Sequence, residues 1–288
     1  MSQPARPPHR ELSERLPGLG EWVAHFCASE IVVLQQTADA LEALRANEDQ
    51  TDANSIGELI AGDPLMTLKV LAYSSGHRGR RVVTPPETVT SALVMLGITP
   101  FFSAFALQGS VEERLSSAPQ ALRGFQRVLH RAHRGADFAL AFAVHRTDPN
   151  AAALHAAALL HEFAELLLWC HAPSLALRIE RAQREDPTLR SSVAQLDILG
   201  ITLADLQQAL VAEWQLPSLL CDDVAGRSSH HTGGRIVALA ARLARHTARS
   251  WDNAALADDI AEIAGLLNLS ADAALHLVQN VESRTRFD

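Results

Sequence analysis

The amino-acid sequence predicts an all-α fold, and three observations carry that expectation. No stretch alternates apolar and polar residues over a useful strand length. Apolar residues instead recur at three- and four-residue spacing through most of the chain, which puts them on one face of a helix. Hydrophobic residues make up 48% of the 288 and aromatics only 5%, so Ala and Leu, both strong helix formers, do most of the filling. The length allows a sizeable core, and no internal repeat of fixed period appears.

The most apolar stretch, Ala151–His171, is expected to be the hub. A helix apolar around most of its circumference is stable only with other helices packed on it. Asp148 and Pro149 just upstream offer a side-chain N-cap followed by proline at the first helical position. His155, His161, Glu162 and Glu165 argue for burial in a helical bundle over a lipid-facing span. On one continuous helix His161 and Glu162 would project about 100° apart, so both reach one site only where another helix crosses.

The other elements follow in order. Residues 1–19, rich in Pro, Arg and Gly, are expected to form a disordered, mobile arm. Over 31–46, Val33, Ala40, Leu41 and Leu44 keep a helical beat, and 47–54 is a polar break. A short helix through Ile56, Leu59 and Ile60 stops at Gly62. Asp63-Pro64 caps the next, which runs to Tyr73 with core residues on both sides and Lys69 as the exposed exception. Residues 74–86 are the longest irregular stretch, and a helix over 87–96 ends at Gly97 before an apolar one containing 101–107. Residues 120–145 hold a long helical pattern through Leu122, Phe125, Leu129 and Phe138, interrupted only by Gly135.

After the hub, Asp186-Pro187 repeats the cap-plus-proline start and a linker runs through Gly200. Thr202 with Asp205 three residues on forms a partial capping box. Trp214-Gln215-Leu216-Pro217 closes that helix and opens another toward Ala225, and a loop over 226–234 holds His230 and His231. Helices over 236–247, 254–267 and 271–281 complete the chain.

A formal net charge of −8 argues against a broad nucleic-acid or anionic-membrane footprint. Cys27, Cys170 and Cys221 share no metal-binding or disulfide spacing and are expected to be buried, inert thiols of a cytoplasmic protein. The N-terminus lacks the apolar core of a signal peptide, and no membrane span is expected.

Several short motifs share an order and spacing. They are the run Asp63-Pro64-Leu65-Met66-Thr67-Leu68-Lys69-Val70-Leu71, Gly97, His133, Leu160-His161-Glu162, Gly200, Trp214-Gln215-Leu216-Pro217 and His230-His231. In these the chain resembles, over about residues 25–235, the HDOD family, the HD-related output domains of bacterial signalling. That family is a degenerate relative of the HD and HD-GYP phosphohydrolases. The resemblance implies an HD-like multi-helix core with a C-terminal helical extension over 118–288, preceded by an N-terminal helical subdomain over 20–117.

Carried over from the phosphohydrolases, His133 matches the first metal-site His, His161 the His of the His-Asp pair, and Glu162 stands for its Asp. His230-His231 resembles their double His. Leu203 falls where HD-GYP proteins carry another His, Ala241 falls on the closing Asp, and there is no Gly-Tyr-Pro loop. An ion that activates water needs several anionic or imidazole ligands and an open position, so no catalysis and no required cofactor are expected. A vestigial divalent site of His133, His161, Glu162 and one of His230 or His231 stays open, since tetrahedral zinc accepts such a set.

The resemblance implies a non-catalytic output or scaffold module that works through contacts with signalling proteins, its input arriving by binding. The alternatives are a metal-dependent phosphohydrolase with a reduced ligand set, and a nucleotide-binding module without catalysis. Plainer roles compete at every position. His133 could pair with Asp137 on its own helix or bond at a helix crossing. An ion-pair network would satisfy His161 and Glu162. His155 reads as a core histidine, and His230-His231 as a solvated turn. Among the glycines of 74–86, His77, Arg78, Arg80 and Arg81 form either a solvated loop or, for the three arginines, a partner-binding patch.

Overall fold

The computed structural model describes residues 11–76, 85–220 and 232–285. His77, Arg78, Arg80, Arg81, Cys221, His230 and His231 lie outside the described residues. Within them the chain is built from helices, with one isolated parallel bridge between Val33 and Ser110.

Seven helices come first: α1 (Leu19–Ala28), α2 (Gln35–Arg45), α3 (Ala53–Ile60), α4 (Pro64–Gly76), α5 (Val89–Leu96), α6 (Ile98–Ala104) and α7 (Val111–Arg114). At α5 the Gly97 stop is where the sequence puts it, and the start lies two residues later than expected. Thr88 closes a capping box with Ser91 at the start of α5, and Gly97 stops that helix at φ 86°, a left-handed backbone that glycine adopts without strain. Lys69, expected exposed, is half-buried: its Nζ donates to Ile31 O at 2.8 Å and to Gln108 Oε1, tying α4 to the bridged segments.

The spine is α8 (Pro119–His145), 27 residues and about 40 Å long. Its buried positions, among them Ala121, Gly124, Phe125, Val128, Ala132, Ala136, Ala139 and Ala143, repeat at three and four residues. At Gly124 an added Cβ would lie 2.3 Å from the Trp169 ring, so the missing side chain lets the indole pack flat on the helix. At Gly135 an added Cβ would stand 3.6 Å from Ala241 Cα, the point where α14 (Thr232–His246) crosses closely.

Between them lie α9 (Ala151–Leu159), α10 (Phe163–His171), α11 (Pro173–Glu185), α12 (Ser191–Leu199) and α13 (Leu203–Glu213), with a 3₁₀ turn at Ser218–Leu220. The pair α15 (Leu256–Leu267) and α16 (Ala271–Thr285) packs on α14 and α8. One hydrophobic cluster runs through all of these groups, and α1 docks on α13 with buried Trp22 donating Nε1–H to Leu199 O at 3.3 Å.

Other expectations need correction too. The hub is two helices, because Leu160, His161 and Glu162 turn between α9 and α10. Buried Gln207 on α13 stabilises that turn, its amide donating to His161 O at 2.7 Å and accepting from Ala164 N at 3.4 Å. The hub starts at Ala151 as expected, but Asp148 is not its cap: Asp148 Oδ1 accepts from Asn150 N at 2.9 Å, and Asn150 is the residue before the helix. The linker before Gly200 contains α12, whose Val193 and Leu196 are half exposed and so blur the apolar stripe. The described part of the expected arm is held, with Leu12 N donating to His171 O at 2.9 Å and Leu12 and Leu16 packed on the core.

Candidate functional site

Glu162 opens α10 where the middle of α8 and the C-terminal end of α14 converge. Arg131 of α8 donates Nε–H to Glu162 Oε2 and Nη2–H to Glu165 Oε2 at 2.8 Å. Arg245 of α14 donates to Glu162 Oε1 at 3.1 Å. Both oxygens of one carboxylate are therefore held by guanidiniums from two different helices.

Electrostatics follow from that geometry. Burial pushes the Glu162 carboxyl upward, but the charges of Arg131 and Arg245 outweigh it and hold the group below the usual carboxylate range. Glu165 goes the other way, raised by burial and by the neighbouring Glu162 against the pull of Arg131. The guanidinium of Arg131 is stabilised in its charged form by both carboxylates.

These residues line a cleft of about 1060 Å³ between α8, α10, α11, α13, α14 and the turn after α14. His161, Glu162 and Leu203 share it, as the motif order implies. His133 does not: its Nε2–H donates to Gly62 O at 2.6 Å, pinning α8 to the turn before α4. Ala241 is buried at the close α8–α14 crossing, where a carboxylate would hold the helices apart. Of the cleft-lining residues of α14, Arg242 forms an ion pair with buried Asp259, Nε to Oδ1 at 2.8 Å, and His246 Nδ1 lies 2.6 Å from its other oxygen.

A divalent ion does not fit at Glu162. Its oxygens are occupied by cations, and among the described residues no group of three His, Cys, Asp or Glu side chains is arranged to hold a metal. The remaining candidates separate. His155 is half-buried, and burial lowers its pKa. Cys170 is buried and its thiol is pushed up to about 12, whereas Cys27, expected buried, is exposed.

Sequence reasoning missed Arg131, Arg245 and Gln207. A signal was present: Glu162 and Glu165 stand in an apolar stretch that demands countercharge, and Arg127, Arg131 and Arg134 recur on one face of α8.

Known proteins agree on the fold. The structure matches a response regulator, MmoQ, from Methylococcus capsulatus str. Bath at 16% identity and a TM-score of 0.64, covering 87% of this chain and 98% of that one. It matches a virulence factor from Campylobacter jejuni subsp. jejuni at 15% identity and a TM-score of 0.60, covering 93% and 99%. An HDOD domain protein of unknown function from Geobacter sulfurreducens matches at 13% identity and a TM-score of 0.50, covering 92% and 95%. No curated protein matches the sequence. The HDOD domain model matches residues 32–232, and with that span, more than half of the sequence, the chain belongs to the HDOD domain family.

Proposed function

We propose that this chain is a cytoplasmic signal-transduction output module that acts through protein contacts and does not hydrolyse phosphoesters. The observation that carries the reading is the Glu162 carboxylate clamped between Arg131 and Arg245. In an HD-type hydrolase this position would bind an ion; two guanidiniums there repel one and fix the carboxylate as a structural group. Leu203 and Ala241 add no ligand at the two further positions. Membership of the HDOD family and a structural likeness to a response regulator support a signalling role.

Two measurements test this. Purified protein supplied in turn with zinc, manganese and magnesium should turn over neither cyclic dinucleotides nor phosphomonoesters above a His161→Ala control. Metal-dependent turnover that disappears in His161→Ala would overturn the non-catalytic reading.

The partner contact is assigned to Arg78, Arg80 and Arg81, a run of positive charge in an acidic chain. Reversing Arg80 and Arg81 to Glu should leave the melting temperature unchanged while removing captured proteins from a host-lysate pull-down. An identical captured set in parent and double reversal rules those arginines out as the recognition surface.

A further inference from the structure

A second cavity, about 490 Å³, lies between the N-terminal half of α8 and the turn after α14 at Ala248 and Arg249. Arg123, Arg127, Arg131, Arg134 and Arg249 all border it, and no carboxylate does among the described residues. Three of the five are already paired with carboxylates. Arg131 is held by Glu162 and Glu165, and Arg134 by Glu282 at 2.8 Å, Ala244 O at 3.0 Å and the Thr247 hydroxyl at 2.6 Å. Arg127 pairs with Glu180, which Arg184 also engages. Arg123 and Arg249 are exposed and, among the described residues, form no ion pair.

This arrangement runs against the chain's overall charge. Asp and Glu outnumber Lys and Arg 33 to 25, so carboxylates were available to pair every guanidinium on the surface. Arg123 and Arg249, which form no ion pair among the described residues, border one concavity with three further guanidiniums, and a bound anion relieves their mutual repulsion. The planar fork of arginine matches phosphate oxygens two at a time. Because the feature is a recessed cavity of ligand size, it suits a small molecule better than a flat protein or nucleic-acid surface.

We propose that this cavity binds a phosphate-bearing small molecule, its phosphate gripped by Arg123, Arg127 and Arg249 and its remainder lying in the adjoining cleft. The two spaces adjoin, with Arg127, Arg131, Ala248 and Arg249 bordering both, and Val128, Leu168 and Trp169 give the larger one an apolar wall for an organic group. The site does not depend on the protein-contact reading, because it uses none of the residues assigned to partner capture.

Isothermal titration calorimetry on the full chain tests it, with inorganic pyrophosphate, ATP and citrate as probes at fixed ionic strength. Pyrophosphate and ATP should each saturate one site, and citrate should bind more weakly than either. The Arg123→Ala/Arg249→Ala double variant should weaken both phosphate probes at least about tenfold, the loss of roughly one strong contact. Its thermal melt should match the parent, since both side chains are exposed. ATP binding tighter than pyrophosphate supports an organic phosphate reaching the apolar wall, and equal affinity would overturn the placement of an organic group in the cleft. Absence of saturable phosphate binding in the parent, citrate binding as tight as pyrophosphate, or unchanged affinity in the double variant would each overturn the proposal.

Discussion

Replacing Asp63 with alanine is expected to lower the unfolding free energy by about 3 kcal/mol, a large fraction of the stability of a typical domain. Asp63 is fully buried, and its carboxylate joins α4 to the start of α2. Oδ1 accepts from Leu65 N at 2.9 Å and Met66 N at 3.0 Å, capping α4, while Oδ2 accepts from Leu34 N at 2.8 Å at the entry to α2. Burial pushes its pKa up, opposed by these backbone donors and the Thr37 hydroxyl. Alanine leaves all three N–H groups without an acceptor where water does not reach, so the loss exceeds that of an exposed cap. Asp63→Asn would keep one acceptor but turn an amide N–H toward Leu34 N, and its stability should fall between those of the parent and the alanine variant. Urea unfolding with an unchanged slope and a lowered midpoint is the expected record; an unmoved midpoint for Asp63→Ala would show that the bonds contribute nothing.

Arg131→Met is expected to cost about 3 kcal/mol at pH 7, because it keeps the apolar stem but leaves Glu162 and Glu165 facing each other in a mostly buried corner. Arg245 remains as countercharge for one of them. The sign of the pH dependence identifies the cause. In the parent the Glu162 carboxyl titrates below its usual value, so its stabilising contribution is present above about pH 4.5 and is lost as pH falls through the lowered folded value. The variant removes the Arg131 charge that pulls both carboxyls down, while burial and their mutual repulsion still push them up, so a penalty for ionising them should be felt at neutral pH and relieved on protonation. The stability gap between parent and variant should therefore narrow from pH 7 to pH 4.5. A gap of equal size at both would assign the loss to packing alone.

What could be read from the chain was whatever neighbouring residues decide. The α4 cap at Asp63, the helix stop at Gly97 with φ of 86°, the Thr202 cap accepting from Asp205 N at 3.0 Å and the apolar repeat of α8 are set by dihedral preference, local bonding and periodicity. Of the candidate site, the structure brings His161 and Glu162 together on one cleft, next to each other as they are in sequence. The site's chemistry was not legible, because each deciding partner lies far along the sequence. The hub breaks at 160–162 although its Ala and Leu favour an unbroken helix, since Gln207 satisfies the polar backbone the break exposes. His133 turns to the Gly62 carbonyl and away from the cleft. Glu162 becomes an ion pair where the motif suggested a metal ligand, because Arg131 and Arg245 meet it only once α8, α10 and α14 pack. Local propensity fixes where helices form, but a buried charge takes its role from whatever countercharge the packing brings within reach.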